Sequence, residues 1–416
     1  MNDFKMQQYD MNLQRKDKYL PFKVSQIKFL TDKTVETNAL LVTGSCLEEQ
    51  NRVALWGYDF GPELVPSGKL QPHCECDPDC MPLLGDSIDE PHLLSSVPHL
   101  GDVQAMRCLT SREKLIFVAG SEGNLSVLGL GQEYRGDNLE ELQSLKLQSI
   151  TKPNFSPFMP QRVPISALDV SEDGGSIYLA TDDGQLLVVS TERLPKLAGV
   201  SGIGLVTGKG MDWCAVTTLE RIDSNCIATA NQVGQLKLWD MRRNGFLMPE
   251  SRMLRPGSSK AFLCIASHPG QPNLIAVGGE GGGKSEVPVY MWDTRATKYP
   301  LIEMPCPGEC ALSLQFHPTQ PDILYIGTEA AGLIKVTCRA GSAQPEGLAT
   351  TWKQESIRMN VGGGHCVLKV EAALPGLEID YGRSVHTLDV TNSCIACCSD
   401  DNSILQTIPC NEVALA

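Results

Sequence analysis

At 416 residues, with 42% hydrophobic and 20% charged content, the chain is a folding globular sequence and not a disordered one. A formal net charge of -14 and a pI near 5.0 argue against a phosphate-binding surface, because nucleic-acid affinity rests on Lys and Arg neutralising phosphates, so a protein partner is the expectation. No apolar run approaches the ~20 residues of a spanning helix, and Met1 to Lys18 lacks the apolar core of a secretory signal; the expectation is a soluble protein of the reducing cytosol whose 16 cysteines remain thiols.

Met1 to Lys18 alternates charges and amides and reads as a polar extension. Beyond it, an apolar run followed by small residues and a polar turn recurs seven times, beginning at Leu40, Leu115, Ile177, Cys226, Leu274, Ile323 and Cys394. Each run is short and has β-branched residues nearby, which favours a strand buried on both faces over a helix. An alternating stretch precedes each run, as in Ile165 to Val170 or Val385 to Val390, and a second one follows. Gly234 to Arg242 is the clearest example: a glycine suited to positive φ, then Leu236 and Leu238 inward, Gln235 and Lys237 pointing the other way, and a closing Trp239-Asp240.

The repeat can be verified by superposition of the sequence on itself. Ser267 to Glu280 and Phe316 to Glu329 align at an offset of 49, with His, Pro, Gln, Pro, Gly and Glu coinciding. Trp56, Leu128, Val189, Trp239, Trp292, Thr337 and Thr407 read as the ends of the third strands. The segments 61–98, 131–160 and 340–380 lack a period and read as insertions, and a fourth, outer strand is expected after each Trp-Asp, for example at Phe246-Leu247-Met248.

Seven such sheets bury both faces only by stacking around an axis. The expected fold is therefore all-β: a single seven-bladed β-propeller of the WD40 type over residues 19–410, with 411–416 as a short tail. Because almost nothing follows the last motif, ring closure requires a strand from the N-terminal end, placed near Tyr19 to Val24.

Trp239-Asp240, Trp292-Asp293 and the Phe316-His317-Pro318 turn resemble the WD-repeat family. More narrowly, Gly234 to Asp240, the His268-Pro269 blade, and Val385 to Asp389 followed by Cys394 to Cys397 are similar to the forty-three-kilodalton nucleoporins. The similarity runs in order from Val24-Ser25-Gln26 and Thr43-Gly44-Ser45 to the C-terminus; it is specific in blades four to seven and weak in the insertions, and Leu128-Gly129, Val189-Ser190 and Thr337-Cys338 depart from Trp-Asp. The resemblance implies a scaffold subunit of the Y-shaped outer-ring complex of the nuclear pore. It further implies nucleoporin partners, one of them helical, roles in pore assembly, messenger RNA export and protein import, and recruitment to kinetochores in mitosis.

Gly278 to Ser285 satisfies P-loop spacing, but the alternating, proline-containing Glu286 to Trp292 follows where a P-loop needs a helix, so the stretch reads as a glycine-rich hairpin loop. His73-Cys74-Glu75-Cys76 with Cys80 offers a zinc ligand set, yet all on one short loop, and reads as an acidic surface loop. His268 and His317 occupy equivalent turns of neighbouring blades, which suits a structural hydrogen-bonding role; Asp169 and Asp389 match each other and read as solvated or turn-bonding groups. No nucleophile elbow or metalloprotease helix is found, so no catalytic residue, cofactor, metal or small-molecule substrate is expected. Trp239, Asp240, Trp292, Asp293, His268 and His317 read as blade-forming positions. Trp239-Asp240-Met241-Arg242 and Trp292-Asp293-Thr294-Arg295 also resemble the box by which substrate receptors of cullin-type ubiquitin ligases bind their adaptor, which makes Arg242 and Arg295 candidate partner contacts and the receptor role the alternative function.

Overall fold

Runs such as Ile323–Thr328 and Cys394–Ser399 are buried at every residue, so they demand packing partners on both faces as well as hydrogen-bonded strands on both edges. The fold satisfies this with sheets alone. A computed structural model describes residues 16–30, 39–58, 91–109, 114–130, 139–146, 163–190, 206–242, 249, 251–254, 260–281, 286–329, 332–339, 367–371, 384–399 and 404–409. Its 28 strands form seven four-stranded antiparallel sheets, each a meander. Seven hydrophobic clusters lie between the sheets, one for every pair of neighbours, including the last blade against the first, where Phe22, Val24 and Trp56 meet Cys394, Ala396 and Leu405. The core is thus a closed circle of inter-blade contacts: a seven-bladed β-propeller.

The inner strands are Lys23–Phe29, Val103–Leu109, Ile165–Val170, Val216–Arg221, Phe262–Ser267, Ala311–Phe316 and Val385–Val390. In all seven the pairing register with the second strand slips by one residue near the start of the inner strand. A bulge bends a strand and raises its twist, which suits the crowded inner end of a blade. The meander places the blade-to-blade links and the turns between second and third strands on one face, called here the link face. The other turns lie on the opposite face.

The ring closes through Lys16–Tyr19, which pairs antiparallel with the last strand, Lys16 opposite Thr407 and Tyr19 opposite Ile404. Closure by the N-terminal end is as expected, but the strand lies upstream of Tyr19 to Val24, mostly within the segment read as a polar extension. Lys23–Phe29 instead opens blade one. Outer strands sit at the solvent-facing rim and need no apolar alternation, so Lys-Asp-Lys-Tyr gives little signal. For the same reason the outer strands His92–Pro98, Leu139–Lys146 and Val367–Glu371 lie inside the segments read as insertions. In blade four the outer strand is Ser251–Leu254; Phe246-Leu247-Met248 lies outside the described residues.

Two third-strand positions also differ. Ile227 faces Trp239 and Ile275 faces Trp292, whereas the equivalent Leu324 faces Val336 and Ile395 faces Ile408. The aligned positions in blades six and seven are therefore Val336 and Ile408, one residue from Thr337 and Thr407. A slip of one residue exchanges the two faces of a strand, so the corrected alignment puts an apolar residue at that place in every blade.

Candidate functional site

Gly234 has the positive φ expected of it, 72°, and releases the strand Gln235–Asp240. That strand is buried on both faces, so Lys237 points away from Leu236 and Leu238 but not into water. Its Nζ lies 2.5 Å from Asp212 Oδ1, and both side chains are almost fully enclosed. Asp212 belongs to the link between blades three and four. Asn231 Nδ2 also donates to it, at 3.1 Å, so the carboxylate is held by two donors from blade four. A polar residue at an apparently outward strand position thereby ties two blades together.

Trp239 and Trp292 are buried and fill the space between adjacent blades, as blade-forming residues should. Trp239 donates its indole N–H to Thr229 Oγ1 at 2.8 Å, and Trp56 makes the same bond to Thr43 Oγ1 at 2.9 Å. Asp240 and Asp293 each accept a forked pair of bonds from the arginine two residues on, Arg242 and Arg295. The two guanidiniums stand on the face opposite the links, in equivalent places of neighbouring blades, with side chains 68% and 71% exposed. Asp293 holds its carboxyl below the ordinary range through its hydrogen bond from Arg295.

His268 and His317 are buried on that same side of the ring. His268 Nδ1 accepts from Gly270 N at 3.1 Å and His317 Nδ1 accepts from Gln320 N at 3.1 Å, so each imidazole closes its own turn. The His268 ring meets Phe316 of the next blade edge-on at 5.0 Å. Burial lowers the pKa of both. They are neutral struts; the Thr319 hydroxyl, 3.5 Å from His317 Nδ1, belongs to the same turn that this imidazole closes.

An open central channel of about 670 Å³ runs down the axis, lined by the inner strands. At one level, two residues past the point where pairing resumes after the register slip, the inner strands carry Lys28, Arg107, Asp169, Glu220, Ala266, Gln315 and Asp389 in ring order. Five of the seven are charged, and they are wired together. Arg107 Nε donates to Asp169 Oδ1 at 3.2 Å and its Nη2 to Glu220 Oε2 at 2.6 Å, so one guanidinium spans blades two, three and four.

The acids also share a backbone role. Asp389 accepts Phe29 N–H at 2.8 Å, Asp169 accepts Arg221 N–H at 2.7 Å, and Glu220 accepts Ser267 N–H at 3.4 Å. In each case the donor is the last residue of the neighbouring inner strand. Asp169 and Asp389 are therefore not the solvated or turn-bonding groups expected of them; they are inter-blade clasps facing the channel. Burial raises the Glu220 carboxyl above its ordinary range against the pull of Arg107. Burial alone would lower Arg107, but Asp169, Glu220 and Asp389 raise it, so the guanidinium stays charged. The sequence signal for this ring was a charge recurring at one aligned strand position, visible only after the repeat is placed in register.

At the opposite end of the channel, hydroxyls at the bulges make the matching contact: Ser25 Oγ donates to Val103 O and Thr217 Oγ1 to Phe262 O, both at 2.5 Å and both across a blade boundary.

The glycine-rich stretch from Gly278 ends one strand and is followed by the strand Glu286–Asp293, not by a helix, so it lacks the geometry of a phosphate loop; residues 282–285 lie outside the described residues. The His73 to Cys80 loop also lies outside them. Among the described residues no group of three or more His, Cys, Asp or Glu side chains is gathered as a metal would need, and ten described cysteines are free thiols. Burial pushes the Cys306 thiol up to about 12, which leaves it a small core residue and not a nucleophile. No described helix is long and apolar enough to cross a membrane.

No family model matches the chain. Individual relatives do. The chain is 24% identical over 408 residues to a Homo sapiens protein named nucleoporin Nup43, an alignment covering 94% of this chain and 97% of that one. It is 24% identical over 287 residues to nucleoporin Nup43 of Mus musculus, covering 68% and 65% of the two chains. A third relative, nuclear pore complex protein nup43 of Dictyostelium discoideum, is 27% identical over 119 residues, 28% of this chain and 26% of that one.

Proposed function

Because the chain is a homologue of the Nup43 nucleoporins along nearly its whole length, we propose that it is a propeller subunit of the Y-shaped outer ring of the nuclear pore. Its role there is that of a non-catalytic scaffold that docks other nucleoporins, one of them helical. It supports pore assembly and, through it, messenger RNA export and protein transport, and it joins kinetochores in mitosis. It needs no cofactor, metal, small-molecule substrate, direct nucleic-acid contact or membrane insertion. The observation that carries this reading is the extent of the alignment, 94% of this chain and 97% of the human relative. The acidic balance of -14 supports a protein partner over a nucleic acid.

Two measurements test it. A fluorescently tagged full chain should outline the nuclear envelope, and affinity purification should recover several large nucleoporins in equal amounts. A diffuse cytosolic signal with no nucleoporin recovered would refute it.

The receptor reading keeps one specific support: Arg242 and Arg295 are presented side by side on one face by neighbouring blades. Recovery of a cullin and its adaptor, lost on changing both arginines, would establish that role instead.

A further inference from the structure

On the link face, Trp213 is 84% exposed, the most exposed of the large hydrophobic side chains among the described residues. A free indole in water forfeits the burial that makes Trp worth placing in a protein, and its surroundings show that local looseness is not the reason. The link that carries it is pinned on both sides. Asp212 N donates to Gly184 O at 2.7 Å, Cys214 N donates to Asp212 Oδ1 at 3.2 Å, and Gln232 N donates to Ala215 O at 3.2 Å. Asp212 itself is locked by Lys237 and Asn231. Gly184 has φ +84°, and a Cβ there would stand 2.0 Å from Asp212 O, so the turn of blade three and the link are pressed together. Trp213 is therefore presented outward from a rigid base, the arrangement that reduces the ordering cost of binding.

Its neighbours define the chemistry. Gly184 closes the blade-three turn that contains Asp182 and Asp183, and Gln232 leads into Val233, which is itself exposed. Asp183 is engaged by Thr181 and Gln185, whereas the Asp182 carboxylate has no hydrogen bond or ion pair among the described residues. Burial and then the adjacent Asp183 raise the Asp182 carboxyl, a penalty on its ionised form that a cation placed against the pair would offset. The nearest lysine in the link's own network, Lys237, is already committed to Asp212.

We propose that this shoulder of the link face, built on Trp213, Val233, Asp182 and Asp183, docks a basic and apolar segment of a protein partner. A Lys or Arg side chain lies over the Trp213 indole and against the two carboxylates, and an apolar neighbour covers Val233. Charge complementarity selects this occupant: an anionic phosphate backbone or lipid headgroup would meet paired carboxylates. The inference rests on the scaffold reading only in taking the ligand to be a protein.

The test uses purified full chain and a fluorescein-labelled synthetic peptide that alternates Lys and Arg with Leu, beside the same peptide with Glu at every basic position. The basic peptide should bind saturably and protect the protein's tryptophan emission from acrylamide. Trp213→Ala should weaken binding about tenfold, the usual loss for an anchoring Trp. Trp213→Phe should keep most of it, and Asp182→Asn should weaken it about threefold while flattening its salt dependence. Both positions are at the surface, and unchanged thermal midpoints separate lost contact from lost fold. Absence of saturable binding, equal binding of the acidic peptide, or unchanged affinity in both Trp213→Ala and Asp182→Asn would overturn the proposal. A tagged copy at the nuclear rim with no peptide binding removes this surface and leaves the nucleoporin reading intact; binding with diffuse cytosol does the reverse.

Discussion

Val277 stands beside Trp292 in the place that Thr229 holds beside Trp239. Ile227 faces Trp239 and Thr229 is two residues on; Ile275 faces Trp292 and Val277 is two residues on. The indole N–H of Trp239 consequently has its acceptor, while that of Trp292 is buried without one. An unsatisfied buried donor costs about 1–3 kcal/mol. Val277→Thr should recover part of that and raise the thermal midpoint, and Thr229→Val should lower stability by about 1–2 kcal/mol in urea unfolding. Opposite signs for the same pair of residues, exchanged between adjacent blades, are the outcome to look for.

The Lys237–Asp212 pair makes a second case, because both partners are enclosed. Removing one partner leaves a buried charge without compensation, and Lys237→Met should cost about 3–5 kcal/mol. The double variant Lys237→Met, Asp212→Asn should be less destabilised than Lys237→Met alone. Equilibrium unfolding in urea measures both.

Acid should weaken the ring through His268 and His317. Their folded pKa values lie below the ordinary 6.5 because burial disfavours the imidazolium. The unfolded chain then takes up protons that the folded chain refuses, so this contribution is fully present above the unfolded pKa and is lost as pH falls through and below it. Thermal midpoints should drop between about pH 7 and pH 5, and His317→Asn, which offers an amide oxygen in place of Nδ1, should make that drop shallower.

Deleting residues 1–19 removes Lys16–Tyr19 and exposes the last strand, Ile404–Pro409, as an unpaired edge. The shortened chain should melt at a clearly lower temperature and associate through that edge, which light scattering would detect. An unchanged midpoint would mean that the ring does not depend on this strand.

The buried runs and the Trp-Asp endings were readable from the chain alone, because a strand apolar on both faces leaves an unbroken apolar stretch. Lys16–Tyr19 and Leu139–Lys146 were not, since a rim strand faces solvent and follows no apolar period. Blades six and seven misled by one residue: Thr337 and Thr407 look like the end of an alternating stretch, and only pairing with Leu324 and Ile395 decides the face. The channel ring was half legible. Asp169 and Asp389 stood out as matched positions, but that they clasp Arg221 and Phe29 of the next blade depends on curvature that a linear sequence does not display.

The pairing of Lys16 with Thr407 also sets an order of events during synthesis. Lys16–Tyr19 is made before every other described strand and is the last of them to find its place, since its partner, Ile404–Pro409, is made after all of the rest. Six blades can assemble behind it from local hairpins, each resting on the one before, while the N-terminal end stays unengaged. Completion is then a single late event that joins the first blade to the last, and until it happens the nascent propeller is an open arc with two raw sides.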